Sequence, residues 1–301
     1  MSTRARRQFG TIAILVSLAS AAAVLHAQAV REFAVTGMVV RVNVEQKTLT
    51  VSHQAVAGLM PAMTMPFEVA QASELEGLEP GTVVSFTLKV DRTTSRAGQI
   101  RVVRYENVEQ DPFSASRLKL MKDLAAQGTA ATRMVAVGEI VPDFRLTDQK
   151  HRPVALSDLR GKVVVVNFVY TTCALPNFCL RLANNFGVLQ KRFERQLGRE
   201  LVLLTLTFDP VHDTPDVLAT YARQWSANAE TWRFLTGPVA DVERACALFG
   251  VHAFSNEGLL DHSLHTAVID RQGRLAANIE GNQFTATQLG DLTQSVLENG
   301  R

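Results

Sequence analysis

Residues Val163–Val169 read Val-Val-Val-Val-Asn-Phe-Val, seven positions with six apolar side chains and no polar alternation. A strand with one wet face alternates apolar and polar residues, so an unbroken run belongs to a strand covered on both faces. That environment is the inside of a largely parallel sheet, and Leu201–Phe208 repeats the pattern. Between the two runs Leu182, Phe186, Leu189 and Phe193 recur at helical spacing, which predicts a helix over Cys179–Leu197. A second helix is predicted from Thr214 to Trp225, with Thr214 as its cap and Pro215 at its first position. Arg233–Thr236, Asp241–Phe249, His265–Asp270, Leu275–Ile279 and Ala286–Leu297 continue the alternation. The expectation for residues 137–301 is an α/β domain, a mixed sheet with helices on both sides.

The preceding stretch has a different period. Val35–Val42, Lys47–His53, Met63–Val69, Thr82–Val90 and Gln99–Tyr105 are short runs rich in Val, Thr and Phe, separated by turn signals at Asn43, Pro61, Glu79-Pro-Gly81 and Arg96-Ala-Gly98. Five such strands predict a small all-β barrel of the OB kind, assigned to residues 30–106. In 107–136, Leu118, Met121, Leu124 and Ala125 predict a short helix within a flexible linker.

The first 29 residues read as an export signal. Arg4, Arg6 and Arg7 precede an apolar run from Thr11 to Leu25, and Ala27-Gln-Ala29 has the small-x-small form cut by signal peptidase, predicting cleavage after Ala29 and a periplasmic location. The run is shorter than the roughly 20 residues a spanning helix needs, so the mature chain is expected to carry no membrane span. Removing those three arginines from the 31 basic residues leaves 28 against 29 acidic ones. A near-neutral chain without a basic patch is not expected to bind nucleic acid.

Export changes the meaning of the three cysteines, because thiols in an oxidising compartment tend to pair or bind metal. Cys246 follows Val242 and precedes Phe249 at helical spacing, and reads as a small core hydrophobe. Cys173 and Cys179 lie in the turn after the apolar strand, at the carboxyl end where α/β sheets carry function. Pro176 cannot lie inside a helix, so the intervening residues are expected to bulge, with Asn177 as N-cap and Cys179 in the first turn. Backbone N–H groups and the helix dipole there would favour the thiolate. A plain structural disulfide is the alternative, though so short a loop would stabilise little. Of the seven histidines, His262 stands directly before the strand predicted at His265–Asp270. Two thiolates and one imidazole make a soft, trigonal site suited to copper.

Three stretches make residues 138–300 resemble the Sco/SenC proteins: Gly161-Lys-Val-Val-Val-Val-Asn-Phe-Val-Tyr-Thr-Thr-Cys173, Phe208-Asp-Pro-Val-His-Asp-Thr-Pro215, and Asp261-His-Ser263 followed by Ala267-Val-Ile-Asp270. The resemblance implies a thioredoxin-like fold and a copper metallochaperone serving cytochrome oxidase. It also implies copper ligation by Cys173, Cys179 and His262, with Asp209 close by. Sco/SenC proteins usually have three residues between the cysteines, where this chain has five.

The barrel region carries a second soft-metal signature, Met60-Pro-Ala-Met-Thr-Met65. Residues two apart in a strand share a face, so Met63 and Met65 point together, and His53 ends a neighbouring strand. Phe67 and Val69 continue that face, so a core role for the methionines fits equally well. The segment Val51–Phe67 resembles the CusF-like copper and silver carriers. That resemblance implies His53, Met63 and Met65 as ligands, with Met60 at the position where those carriers often have a tryptophan. The combined expectation is a periplasmic copper chaperone rather than an enzyme. It would bind Cu(I) at two sites, with Cu(II) an alternative at the Cys/Cys/His site, and deliver it to a client, the dinuclear copper site of cytochrome c oxidase. The alternatives are a thiol–disulfide oxidoreductase using Cys173 and Cys179, and a copper sensor or storage module.

Overall fold

The computed structural model describes residues 30–91, 94–103, 133–173, 178–256 and 259–299, with the backbone alone at 254–256 and 259–262. The expected signal segment, the helix expected around Leu118–Ala125, and Asn177 lie outside the described residues.

Strands β1 (Arg31–Asn43), β2 (Thr48–His53), β3 (Met63–Val69), β4 (Val83–Val90) and β5 (Ser95–Val102) close into a barrel in the order β1-β2-β3-β5-β4. Alternate residues fill it: Val35 and Val39, Leu49 and Val51, Phe67 and Val69, Val84, Phe86 and Leu88 are all buried. Each such large side chain contributes roughly 1.5–3 kcal/mol by leaving water. β5 starts at Ser95, four residues before the expected Gln99. Ser95 pairs with Val90, and the tight turn is made by Asp91 and Thr94. Ala97-Gly98 is therefore no turn. The register shifts opposite Ser85 and Thr87, and Gln99 takes a positive φ of 58°, which is how a bulge reads in sequence.

The second unit is a seven-stranded sheet in the order β14-β13-β8-β9-β10-β6-β7. Its strands are β6 (Arg145–Asp148), β7 (Pro153–Ala155), β8 (Val163–Val169), β9 (Leu201–Thr207), β10 (Trp232–Thr236), β13 (His265–Ile269) and β14 (Leu275–Glu280). Every residue of β8 and β9 is buried, as the apolar runs require. The one polar side chain in the β8 run, Asn167, accepts from the Thr205 hydroxyl at 2.7 Å, and Thr205 accepts from Trp232 Nε1 at 2.9 Å. β11 (Ala253–Asn256) and β12 (Leu259–His262) form a separate hairpin. The sequence predicts a loop there, because strands of only four residues leave little periodic signal.

Helices α1 (Cys179–Arg192), α2 (Pro215–Gln224), α3 (Val239–Ala247) and α4 (Ala286–Asn299) cover the sheet. Thr214 caps α2, accepting from the Val217 N–H. α1 begins instead at Phe178, with no side-chain cap. From β8 the chain crosses to β9 and β10 in one direction and later returns to β13 on the other side. Right-handed crossovers then put α1 and α2 on one face and α3 on the other. The reversal at β8 is a topological switch point, where α/β sheets leave a crevice.

The barrel and the sheet unit pack together. Met38 of β1 is fully buried within the hydrophobic core of the second unit, with Val83 beside it. Gly81 has a φ of +94°, and a Cβ there would stand 2.9 Å from Ile279 Cγ1, so only glycine fits. Among the described residues no helix is long and apolar enough to cross a membrane.

Candidate metal centres

Cys173 lies four residues beyond the end of β8, in a turn closed by its own N–H bonding to the Tyr170 carbonyl at 3.2 Å. Cys179 is the first residue of α1. Both are buried free thiols, and Cys179 donates its proton to the sulfur of Cys173. The Tyr170 hydroxyl bonds to the same sulfur. The geometry thus brings the two cysteines together across the six-residue separation.

The thiolate expected at Cys179 is not what the structure shows. Its hydrogen bond to Cys173, and then its burial, push the pKa well above that of an ordinary thiol, while the backbone N–H groups of Tyr170, in the turn after β8, and of Cys179 itself pull the other way. Those N–H groups favour the thiolate, but the Cys173 hydrogen bond and burial outweigh them. Cys179 is therefore held as the thiol, and a soft cation binding there would displace its proton.

Where the sequence points to Asp209, the turn is held from below by Asp213. Its buried carboxylate accepts from the Thr171 N–H at 3.1 Å and from the hydroxyls of Thr171 and Thr207. Burial pushes its pKa up, with those hydrogen bonds opposing. The sequence carries this second aspartate in Asp209-Pro-Val-His-Asp213, directly before the Thr214 cap of α2. Asp209 itself is largely buried, pairs with His212 Nδ1 at 2.9 Å and raises that imidazole's pKa. Its charge is also felt at Tyr170.

β13 runs antiparallel to β8, pairing Thr266 with Asn167, so its N-terminal end lies where β8 runs out toward Cys173. His262 closes β12 three residues earlier, with its backbone paired to Ala253. The fold brings that hairpin to the cysteine end of the sheet; the His262 side chain lies outside the described residues. Among the described residues no further histidine or carboxylate completes the thiol pair as a three-ligand group.

Cys246 is buried in α3 and burial pushes its thiol up to about 12, which fits the core reading. In the native reduced chain, iodoacetamide at pH 8 is expected to modify Cys173 first, Cys179 slowly and Cys246 not at all. Peptide mapping of the alkylated protein checks the order, and prompt labelling of Cys246 would contradict it.

In the barrel, His53 and Met63 face each other as the last rung of the β2–β3 ladder, with Met65 opposite Val51 one inward-facing pair deeper. His53 is buried, its ring edge-to-face against Phe67 at 5.6 Å. Gly37 pairs with His53 from β1, and a Cβ there would lie 2.7 Å from the His53 Cα. Nδ1 donates to the Gln54 carbonyl at 2.7 Å, which leaves the lone pair on Nε2. That nitrogen is buried and has no hydrogen-bond partner among the described residues. An imidazole fixed through Nδ1 with an orphaned Nε2 is the arrangement a metal-binding histidine adopts. Met63 is 47% exposed at the rim, whereas Met60 and Met65 are half-buried against the barrel core. Met60 O accepts from the Val56 N–H at 2.9 Å, closing the 54–62 loop over the same end.

The SCO1/SenC family model matches residues 133–297, and the model of the copper binding periplasmic protein CusF matches residues 32–102. The SCO1 protein homolog of Bacillus subtilis is 27% identical over 97 residues, 32% of this chain and 49% of that protein. The mitochondrial protein SCO1 of Saccharomyces cerevisiae is 25% identical over 161 residues, 51% of this chain and 52% of that one. The chain thus spans about half the length of these two curated relatives. A solved SCO1/SenC family lipoprotein from Bacillus anthracis superposes with a TM-score of 0.47 at 22% identity, covering 54% of this chain and 99% of that chain.

Proposed function

The chain belongs to the SCO1/SenC family, and from that premise we propose that it is a periplasmic copper chaperone with two Cu(I) sites on two domains. The domains are residues 30–106 and 137–301, joined by the linker 107–136 and preceded by a signal segment of 29 residues. The second site is Cys173, Cys179 and His262 with Asp209 beside it; the first is His53, Met63 and Met65 with Met60 over the rim. Its client is the dinuclear copper site assembled in cytochrome c oxidase. The observation that carries this reading is the contact between two buried free thiols at the switch point of the sheet. Soft thiolate ligands select Cu(I), and delivery is ligand exchange between soft sites.

The same contact favours one rival. Two touching thiols can close to a disulfide, releasing two protons and passing two electrons to a client disulfide, which makes a thiol–disulfide oxidoreductase. Metal analysis of the reduced full chain, beside a disulfide-reduction assay, separates the two. The chaperone reading expects two Cu(I) per chain and no catalytic turnover; turnover without retained copper would overturn it.

A further inference from the structure

We infer that Asp291, on the C-terminal helix of the second unit, is a positioning residue for the first metal site, an inference that rests on the two-site reading above. The rung next to the His53–Met63 pair is Ser52–Thr64. Side chains alternate along strands, so His53 and Met63 face the barrel interior while Ser52 and Thr64 face outward, against α4. Both hydroxyls donate to one oxygen of Asp291, Oδ2, at 2.6 and 2.7 Å. A single carboxylate oxygen from the other unit thus clasps the two ligand-bearing strands together from behind.

The clasp is itself held in place. Asp291 Oδ1 accepts from Arg192 Nη2 at 2.6 Å, and Arg192 Nη1 donates to the Thr287 carbonyl at 3.1 Å. Gln288, one turn earlier on α4, donates from Nε2 to the Ser52 carbonyl at 3.0 Å. Burial favours the neutral acid, but the Ser52, Thr64 and Arg192 hydrogen bonds outweigh it and leave the pKa below the usual carboxylate value.

The location gives the clasp its consequence. The His53–Met63 rung is the last of the paired strands, and beyond it only the isolated Val56–Met60 bridge ties the 54–62 loop. A ladder end frays unless its neighbouring rung is held, and metal ligands must stay within about 0.5 Å of their productive geometry. Removing outer contacts that orient metal ligands typically lowers affinity about 10–100-fold.

The test is silver(I) titration of the full chain carrying Cys173→Ser and Cys179→Ser, which silences the second site. Asp291→Ala is expected to bind silver about tenfold more weakly than this parent, at the low end for outer contacts. Asp291→Asn keeps a carbonyl oxygen for both hydroxyls and loses only the Arg192 pairing, so it should retain most of the affinity. Both variants lower the melting temperature, so a merely structural contact would shift stability in both and affinity in neither. Ser52→Ala with Thr64→Val removes the clasp from the barrel side should Asp291→Ala not fold, and the same weakening is expected. Parent-like silver affinity in the folded variants, while His53→Ala is impaired, overturns the positioning role alone. Parent-like affinity in His53→Ala overturns the first site, and the inference with it.

Discussion

Cys173→Ser and Cys179→Ser are each expected to weaken Cu(I) at the second site by more than the roughly 10–100-fold that outer contacts are worth, because each removes a coordinating atom. The two thiols already touch in the fold, so little reorganisation precedes binding. Serine is close in size to cysteine, which keeps the buried turn on Asp213 intact while replacing a soft ligand by a hard one. Oxidation to the disulfide should abolish binding altogether, since neither sulfur is then a thiolate. The pH dependence follows from the raised pKa of Cys179. A thiol that is still protonated at neutral pH must release its proton to solvent as the metal binds, so apparent affinity should rise as pH rises. Competition against a Cu(I) chelator in the full chain, with His53→Ala to silence the first site, measures all three effects. Copper held as tightly by both serine variants, or by the verified disulfide form, would remove the cysteines from the site.

Local patterns and their energetics explain what could be read in advance. Val163–Val169 and Leu201–Thr207 are visible because burial on both faces leaves an unbroken apolar run. The two-residue period puts Met63 and Met65 on one face, and the β2–β3 register bears that out, pairing Met63 with His53 and Met65 with Val51. Where sequence and structure differ, contacts outside the local periodic pattern decide the outcome. Arg96-Ala-Gly98 has turn composition, but pairing with β4 makes it a bulge within β5. Cys179 has the local setting of an activated thiol, yet its proton is held by Cys173, which only the folded loop brings near. Asp213 reads as a turn residue until the β8–β9 pairing sets Thr171 and Thr207 around it. Nothing periodic announces that Asp291 will meet Ser52 across 239 positions, or that Met38 leaves the barrel for the other core.

In the barrel, the question is whether sulfur or volume accounts for the methionines, and Met65→Leu separates them. Met65 is half-buried against the core, so leucine fills nearly the same space and should cost under about 1.5 kcal/mol of stability. If Met65 is a ligand, silver(I) affinity falls while the fold survives; if it is core alone, neither changes. His53→Ala should have the larger effect. It removes an imidazole nitrogen whose lone pair is buried with no hydrogen-bond partner among the described residues, together with a ring contact to Phe67 worth about 0.5–1.5 kcal/mol. The predicted order is therefore His53→Ala weakest in silver, then Met65→Leu. Met63→Leu should also bind less silver with no measurable loss of stability, because Met63 is exposed at the rim. Silver titration of the full chain with Cys173 and Cys179 replaced by serine, alongside circular dichroism, reads affinity and folding together. A folded chain carrying both Met65→Leu and His53→Ala that still binds silver like its parent would return the histidine and the methionines to packing alone.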